Sequence, residues 1–429
     1  MTTRIRVPTV DSLVTVKPSL RTAKVSCAPP EPDPQAPVKV AALCGAGVLA
    51  VVLAVFVWVS FGPGYGATVG CGLLVGLALY HSHFGFSSSW RQFVTVGNGQ
   101  GLRAQLLLFG TAASVIALVA GTGTGLFGTT PDPAPNPIGI PLMAGAVLFA
   151  IGMQLAGSCA AGTLYAVGSG QSSIVFTLVT FIGGSVFATW CYPVISKLPA
   201  RDEIFLSDHF GWAGSWAITA GVLGVLAAVT WLVQRKRNPP PVKPEATAHG
   251  IARLYRGSWP MYVGAIVIGV GAGLILLVTG GLWALTNAFS LWGAKILQVF
   301  GMHPEHWEYW RVTSQGPALA KPLLSDKTSL TDFGIMIGAA AAAAAAGAWQ
   351  FRSRIPWQTV AASLLGGFLM GFGSRISNGC NIGAMLGGIS AGGLSGWVWA
   401  ACGLAGTLLG VKIRPLFGLT VPKPDHGIC

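Results

Sequence analysis

Charge is what this chain has least of. Asp, Glu, Lys and Arg make up 9% of its 429 residues, against roughly 25% in an ordinary soluble domain. So few charges cannot clothe a water-facing surface of that size, and soluble-enzyme readings fail. A nucleic-acid-binding reading fails with them, despite a formal net charge of +13. Catalytic signatures are missing as well: there is no CxxC pair, no Cys/His cluster with zinc spacing, no HExxH and no Walker A. HPEHWE (303–308) lacks the i, i+4 histidines of a zinc protease and reads as a solvated loop. No secretory leader is evident. Residues 1–40 are long and Pro-rich (Pro29, Pro30, Pro32, Pro34, Pro37) and read as a disordered cytoplasmic tail.

What fills the chain instead is apolar: 52% of residues are hydrophobic and the mean hydropathy is +0.64. That defines an all-α polytopic membrane protein. Apolar runs of spanning or near-spanning length lie at about 41–60, 66–80, 103–121, 139–156, 172–192, 213–233, 260–280, 332–348, 357–372 and 394–411. A span needs ~20 residues, so the shorter runs must continue into their flanks or end inside the membrane. Ten crossings put both termini on one side. With that side cytoplasmic, 19 of the 26 Lys and Arg fall in inside segments and the outside loop 122–138 has none, as the positive-inside rule requires. The inside segments are 1–40, 81–103, 157–171, 234–259, 349–356 and 412–429.

Glycine is abundant, at 60 residues, about twice the usual share of roughly 7%. In a bilayer it lets helices approach closely and lets them break. Some of it is organised. GAVLFAIGMQLAGSCAAGTLY (145–165) lies over GGFLMGFGSRISNGCNIGAML (366–386), with Gly145/Gly366, Gly152/Gly373, Cys159/Cys380 and Gly162/Gly383 coincident. Four matches at fixed spacing around a rare residue indicate an internal repeat. The first unit occupies 66–192 and the second 260–411. An extra span, 41–60, precedes them, and 213–233 with the basic cytoplasmic loop 234–259 lies between. One intervening crossing gives the repeats opposite topology, as in transporters whose site sits between broken helices near the midplane. The two cysteine motifs then enter from opposite faces on re-entrant half-helices and converge.

Each motif is a small-residue break of the kind that exposes N–H groups at a helix N-terminus, where an anion is favoured. The first contains Gly157, Ser158, Cys159 and Gly162; the second contains Asn378, Gly379, Cys380, Asn381 and Gly383. Tight packing around an incidental cysteine would explain one copy; two copies favour a substrate path. Arg375, near membrane depth, either attracts an anionic substrate or snorkels to the outer interface. Ser87 in FGFSSSWRQ (84–92) and Thr286 in ALTNAFS (284–290) either offer hydroxyls to an oxyanion or bond neighbouring helices. Cys44, Cys71, Cys191 and Cys402 read as packing residues, and no metal or cofactor set is evident.

On these motifs the sequence resembles the YeeE/YedE family of membrane proteins, which includes thiosulfate-uptake transporters. GMQLAGSCAAGTLYAVGSGQ (152–171) and GFGSRISNGCNIGAMLGGIS (371–390) are similar to that family's two cysteine signatures. The resemblance implies an hourglass-shaped bacterial inner-membrane importer, with Cys159 and Cys380 passing a sulfur anion along by transient S–H hydrogen bonds. It also implies work alongside a small cytoplasmic sulfur-carrier protein. A third family cysteine, in a Phe-Cys-Phe-Thr segment, falls where this chain has Phe84-Gly85-Phe86-Ser87. Thiosulfate, another sulfur oxyanion and a selenium compound therefore stay open as substrates. A membrane thiol oxidoreductase using Cys159 and Cys380 is the rival from another class. Thiols suit a relay because they are weak donors and acceptors, and conduction needs sites weak enough to leave.

Overall fold

The computed structural model describes residues 37–133, 136–239, 250–257, 259–350 and 355–422. Ten stretches within them are helices long and apolar enough to cross a membrane, the number that hydropathy gives. They begin with α1 (Val40–Phe61) and α2 (Pro63–His81). A short α3 (Phe86–Val96) and the long α4 (Gln100–Thr122) follow. Next come α5 (Ile140–Ala156), α6 (Ala160–Gly168), α7 (Ser172–Trp190) and α8 (Leu206–Arg237). The later half contains α9 (Met261–Thr279), α10 (Thr286–Val299), α11 (Lys327–Ala345) and α12 (Trp357–Ile376). A π-helix (Asn381–Leu386) runs into α13 (Gly387–Ser390), and α14 (Leu394–Ile413) closes the bundle. The one sheet pairs Ile138–Gly139 with Ala200–Arg201, antiparallel.

Two kinds of boundary differ from the hydropathy reading. The span expected at 332–348 starts at Lys327, because Asp326 caps it: its carboxylate accepts from the Ser329 N–H at 2.8 Å and from the Ser329 hydroxyl at 2.6 Å. A polar first turn (Lys327–Thr331) therefore belongs to the helix although it lowers the local hydropathy. The stretches read as loops at 81–103 and after 280 contain α3 and α10. At 11 and 14 residues these are too short to cross a ~30 Å core at 1.5 Å per residue. α3 buries Phe86, Ser87 and Trp90, and α10 buries nearly all of its first half, Phe289, Ser290 and Trp292 included. The basic segment at 234–259 begins inside α8, whose last turn holds Arg235, Lys236 and Arg237. Residues 1–36, 134–135, 240–249, 258, 351–354 and 423–429 lie outside the described residues. The tail readings therefore fall largely outside them, as do parts of the loops expected at 122–138, 234–259 and 349–356.

At the centre α5 crosses α12, backbone against backbone. A β-carbon at Gly145 would lie 2.6 Å from the Gly373 carbonyl oxygen, and one at Gly152 would lie 2.5 Å from that of Gly366. Around this pair, α7 packs along α12 and α14 along α5. In the same way α11 packs on α2 and α4 on α9, while α6 rests on α11 and α13 on α4. α1 packs on α2 and α11, and α8 on α4. Both are largely exposed along their length, carrying Val48, Val51, Val55 and Val225 among their outward side chains. Such faces suit lipid and not water.

Candidate functional site

The two duplicated motifs are breaks in the central crossing pair. α5 ends where Gly157 takes φ 72°, a left-handed conformation that costs glycine little. Ser158 follows, half-buried, its hydroxyl donating to the Cys159 carbonyl at 3.2 Å. Cys159 is then the N-cap of α6. Its extended backbone (φ −95°, ψ −175°) turns the chain, and its sulfur accepts from the Gly162 N–H at 3.3 Å. Glycine is needed at 162, since a β-carbon there would lie 2.5 Å from Ser158 Oγ and 3.2 Å from the Cys159 sulfur. Thr163 ties off the Cys159 carbonyl with its hydroxyl at 2.8 Å.

The second break repeats the device with different residues. Asn378 (φ 54°) is exposed and Gly379 (φ 154°) buried, both at positive φ. Cys380, again extended (φ −98°, ψ −168°), caps the π-helix, and its sulfur accepts from the Ile382 N–H at 3.3 Å. The Gly383 N–H lies close to the same sulfur. Ser377 braces the turn, its hydroxyl 2.7 Å from the Gly373 carbonyl and 2.9 Å from that of Gly379. π-Turns are rare and cluster at functional sites.

Both cysteines are buried, at 2% and 0% exposure, and both thiols are free. α6 packs on the π-helix, which puts the two sulfurs within electrostatic range of each other. The Phe86 N–H, at the start of α3, and the Asn381 carboxamide also lie close to the Cys159 sulfur. Asn381 is 1% exposed, yet among the described residues neither its amide nitrogen nor its oxygen finds a hydrogen-bond partner. Buried carboxamides are normally bonded, and this one has only the nearby Cys159 sulfur to turn to. Three helix N-termini, those of α3, α6 and the π-helix, thus meet at the two cysteines, with partial positive charge at each. Gly85, the N-cap of α3, occupies the position where the resemblance places a third thiol, one residue from the amide that faces Cys159.

The other candidate residues sit around this centre in different ways. Ser87 is buried, but its hydroxyl donates to the Met153 carbonyl of α5 at 3.0 Å, an interhelical bond. Thr286 is buried at the first position of α10. Gly383 has room, with Ala284 Cα and the Trp283 carbonyl 3.6 Å from a notional β-carbon. Arg375, half-buried in the last turn of α12, reaches across to α10. It donates to Asn287 Oδ1 at 2.8 Å and Ser290 Oγ at 3.2 Å, and its guanidinium lies 5.4 Å from the centre of the Tyr309 ring. His303, Glu305 and His306 are exposed, as expected of a solvated loop. Outside the membrane-spanning stretches, Glu305 is pulled down to about 2, first by the amide of Gln298 and then by its own backbone N–H and His303.

Several residues of this region went unnoticed in the sequence. Asn287 and Ser290 lie in a polar patch that was visible, but their partner is 85 or more residues away. Asp332 gave a clearer signal, an acid within a spanning helix. It is wholly buried and neither carboxylate oxygen has a hydrogen-bond partner among the described residues.

A helical multi-pass membrane protein with two buried crossings that break at paired cysteines is a transporter-like architecture. The chain matches the sulphur-transport family over residues 81–409, and it belongs to that family. It is 28% identical over 329 residues to the thiosulfate transporter TsuA of Escherichia coli, covering 73% of this chain and 84% of that protein. TsuA of Spirochaeta thermophila is also 28% identical, over 346 residues, 76% of this chain and 92% of the relative. The probable transporter YedE of E. coli is 31% identical over 166 residues, and that match spans only 40% of its length and 38% of this chain.

Proposed function

We propose that this protein takes up thiosulfate, or a related small sulfur-containing anion, across the bacterial inner membrane, with its termini in the cytoplasm. The observation that carries the reading is the pair of buried cysteines capping two short helices, each thiol held by a backbone N–H. The convergent helix N-termini favour an anion. The thiols of Cys159 and Cys380 and the carboxamide of Asn381 supply weak, neutral contacts from which a small sulfur anion can leave. Arg375 shapes the outer side of this path by clamping α12 to α10. Two relatives named as thiosulfate transporters, matched along most of their length, support the same substrate class.

The two halves are proposed to be inverted repeats about this site. Gly145 meets Gly373 and Gly152 meets Gly366, so the first glycine of each frame faces the second glycine of the other. A two-fold axis between α5 and α12 produces that reciprocal contact. The pairing of α7 with α12 and of α14 with α5 follows from the same axis. The basic ends of α8 and the excess of Lys and Arg in the inside segments support cytoplasmic termini.

The test is growth of a thiosulfate-dependent bacterium, lacking its own uptake system, with thiosulfate as sole sulfur source. The intact chain is expected to restore growth, and Cys159→Ala and Cys380→Ala to lose it while still reaching the membrane. Variants that grow as well as the intact chain would refute the thiol relay. Mass-tagging that finds a disulfide between these cysteines during turnover would favour a thiol oxidoreductase instead.

A further inference from the structure

We propose that Asp332 is a proton-binding site that couples a proton to passage of the anion, an inference that rests on the uptake reading above. Asp332 lies five residues into α11, about 7.5 Å along the helix from Lys327 at 1.5 Å per residue. That is beyond the reach of the helix's own capping amides. The contrast with Asp326 is instructive. Asp326 is satisfied by the Ser329 N–H and hydroxyl, whereas both oxygens of Asp332 lack a donor among the described residues. The side chain is 0% exposed. A buried charge without partners is expensive, and a bound proton removes it.

Among the described residues no cation serves that purpose. Lys327 sends its ammonium to the Val278 carbonyl at 3.4 Å and over the Tyr65 ring. Lys295 on α10 donates to the carbonyls of Leu319 and Lys321 at 3.1 and 2.7 Å. Arg375 is engaged with Asn287 and Ser290. The elements packed on α11 bring further ionisable groups: Cys44 on α1, Tyr65, Cys71, Tyr80 and His81 on α2, Tyr165 on α6, and Arg253 and Arg256 on the short helix Ala252–Arg256. That short helix meets the far end of α11. Trp259 just after it bonds the His81 carbonyl, and α2 runs parallel to α11, Gly72 meeting Thr331 and Gly76 meeting Ile335. The ionisable groups in electrostatic range of Asp332 are Asp326 and, on the substrate side, Cys380. A metal cation would need several oxygen ligands, and Asp332 belongs to no ligand-competent cluster among the described residues. A proton needs only the one carboxylate.

Asp332 and Cys380 lie within electrostatic range of each other, and that makes the coupling physical. A carboxylate there repels an arriving dianion; the neutral acid does not. Proton binding and anion binding therefore favour each other reciprocally. Facing outward, the Asp332 carboxylate takes a proton from the outer water and becomes the acid, and the anion enters. Facing inward, the anion leaves, and the acid returns its proton to the inner water. Each cycle moves one proton inward with one anion and cancels one of its two negative charges against an inside-negative potential.

The test uses the purified full-length protein in liposomes containing a pH-sensitive dye, with labelled thiosulfate outside. Wild type is expected to take up label faster as the outside is acidified, by up to about tenfold per pH unit for one bound proton, and to acidify the lumen as label enters. Asp332→Asn, which keeps the shape of the neutral acid, is expected to exchange thiosulfate across the membrane with no dye response and no dependence on the pH gradient. Asp332→Glu is expected to regain both. Label uptake without lumen acidification in wild type, uptake that follows a sodium gradient, or an unchanged dye response in Asp332→Asn would overturn the proposal. Infrared difference spectra of wild type in detergent give a readout independent of transport and of any folding defect in the variants. A carboxylic-acid carbonyl band that titrates with pH and is lost in Asp332→Asn is expected, and a wild-type spectrum without a titrating band refutes the proton site. If wild type moves no thiosulfate under any gradient, the uptake reading fails, and the infrared titration alone decides the proton site.

Discussion

The seam between α5 and α12 makes a sharp prediction, because a single methyl group measures it. A β-carbon added at Gly366 would sit 2.6 Å from the Ala156 nitrogen, 2.8 Å from the Gly152 carbonyl oxygen and 3.0 Å from Ala156 Cβ. Favourable contacts begin near 3.5 Å, so Gly366→Ala must push the two helices apart by roughly 0.9 Å or bend one of them. Overpacking of that kind costs about 1–3 kcal/mol. Removing a glycine from a helix offsets up to about 1 kcal/mol of it, which leaves a net loss of up to about 2 kcal/mol. Gly183 in α7 is the control, since nothing lies within 4 Å of a β-carbon there; Gly183→Ala carries the propensity gain without the clash. Heating the detergent-solubilised proteins and following the monodisperse gel-filtration peak should therefore rank Gly366→Ala below wild type and Gly183→Ala level with it or above. Gly152→Ala should behave like Gly366→Ala. The double variant should lose less than the sum, because both substitutions open the same seam. If Gly366→Ala melts with Gly183→Ala, the close approach of α5 and α12 is wrong, and the reciprocal glycine contacts cease to support a two-fold axis.

Stability and transport separate at the first cysteine. Cys159→Ser keeps an N-cap acceptor for the Gly162 N–H and should melt with wild type, whereas Cys159→Ala should lose about 0.5–2 kcal/mol as a missing cap; equal melting of the two would remove the capping role. Arg375→Lys retains the charge but a single ammonium cannot reach both Asn287 and Ser290 in the guanidinium's planar fork. It should lose about 1.5–3 kcal/mol, the scale of a hydrogen bond to a charged group, together with most uptake; wild-type melting would show that the clamp is unimportant.

How much of this was legible in the sequence depended on whether the cause was local. The ten crossings were readable because a bilayer demands an apolar run wherever a helix meets lipid, and α1, with nearly nothing but aliphatic residues, has no other option. The two breaks were readable because a left-handed turn followed by a cap imposes small residues at fixed spacing, as Gly157 to Gly162 and Asn378 to Gly383 do. α3 and α10 were not, because Ser87, Ser290, Trp90 and Trp292 fill their buried positions as much as aliphatic residues do, and a hydropathy window scores such residues low. The partners of Arg375 were invisible for a different reason: Asn287 is 88 residues away, and only the packing of α10 on α12 brings it near. Asp332 combines both obstacles. It stands at the edge of the apolar run, where the polar Lys327–Thr331 looked like the loop before a span, and its electrostatic coupling to Cys380 exists only once α11 and the π-helix are placed. An acid at a helix start is ordinarily a cap, and Asp326 already fills that place; a second acid one and a half turns deeper has no structural task there. That redundancy, visible only when the first acid's partners are known, is what separates Asp332 from a surface charge and is the ground on which it is proposed as a proton site.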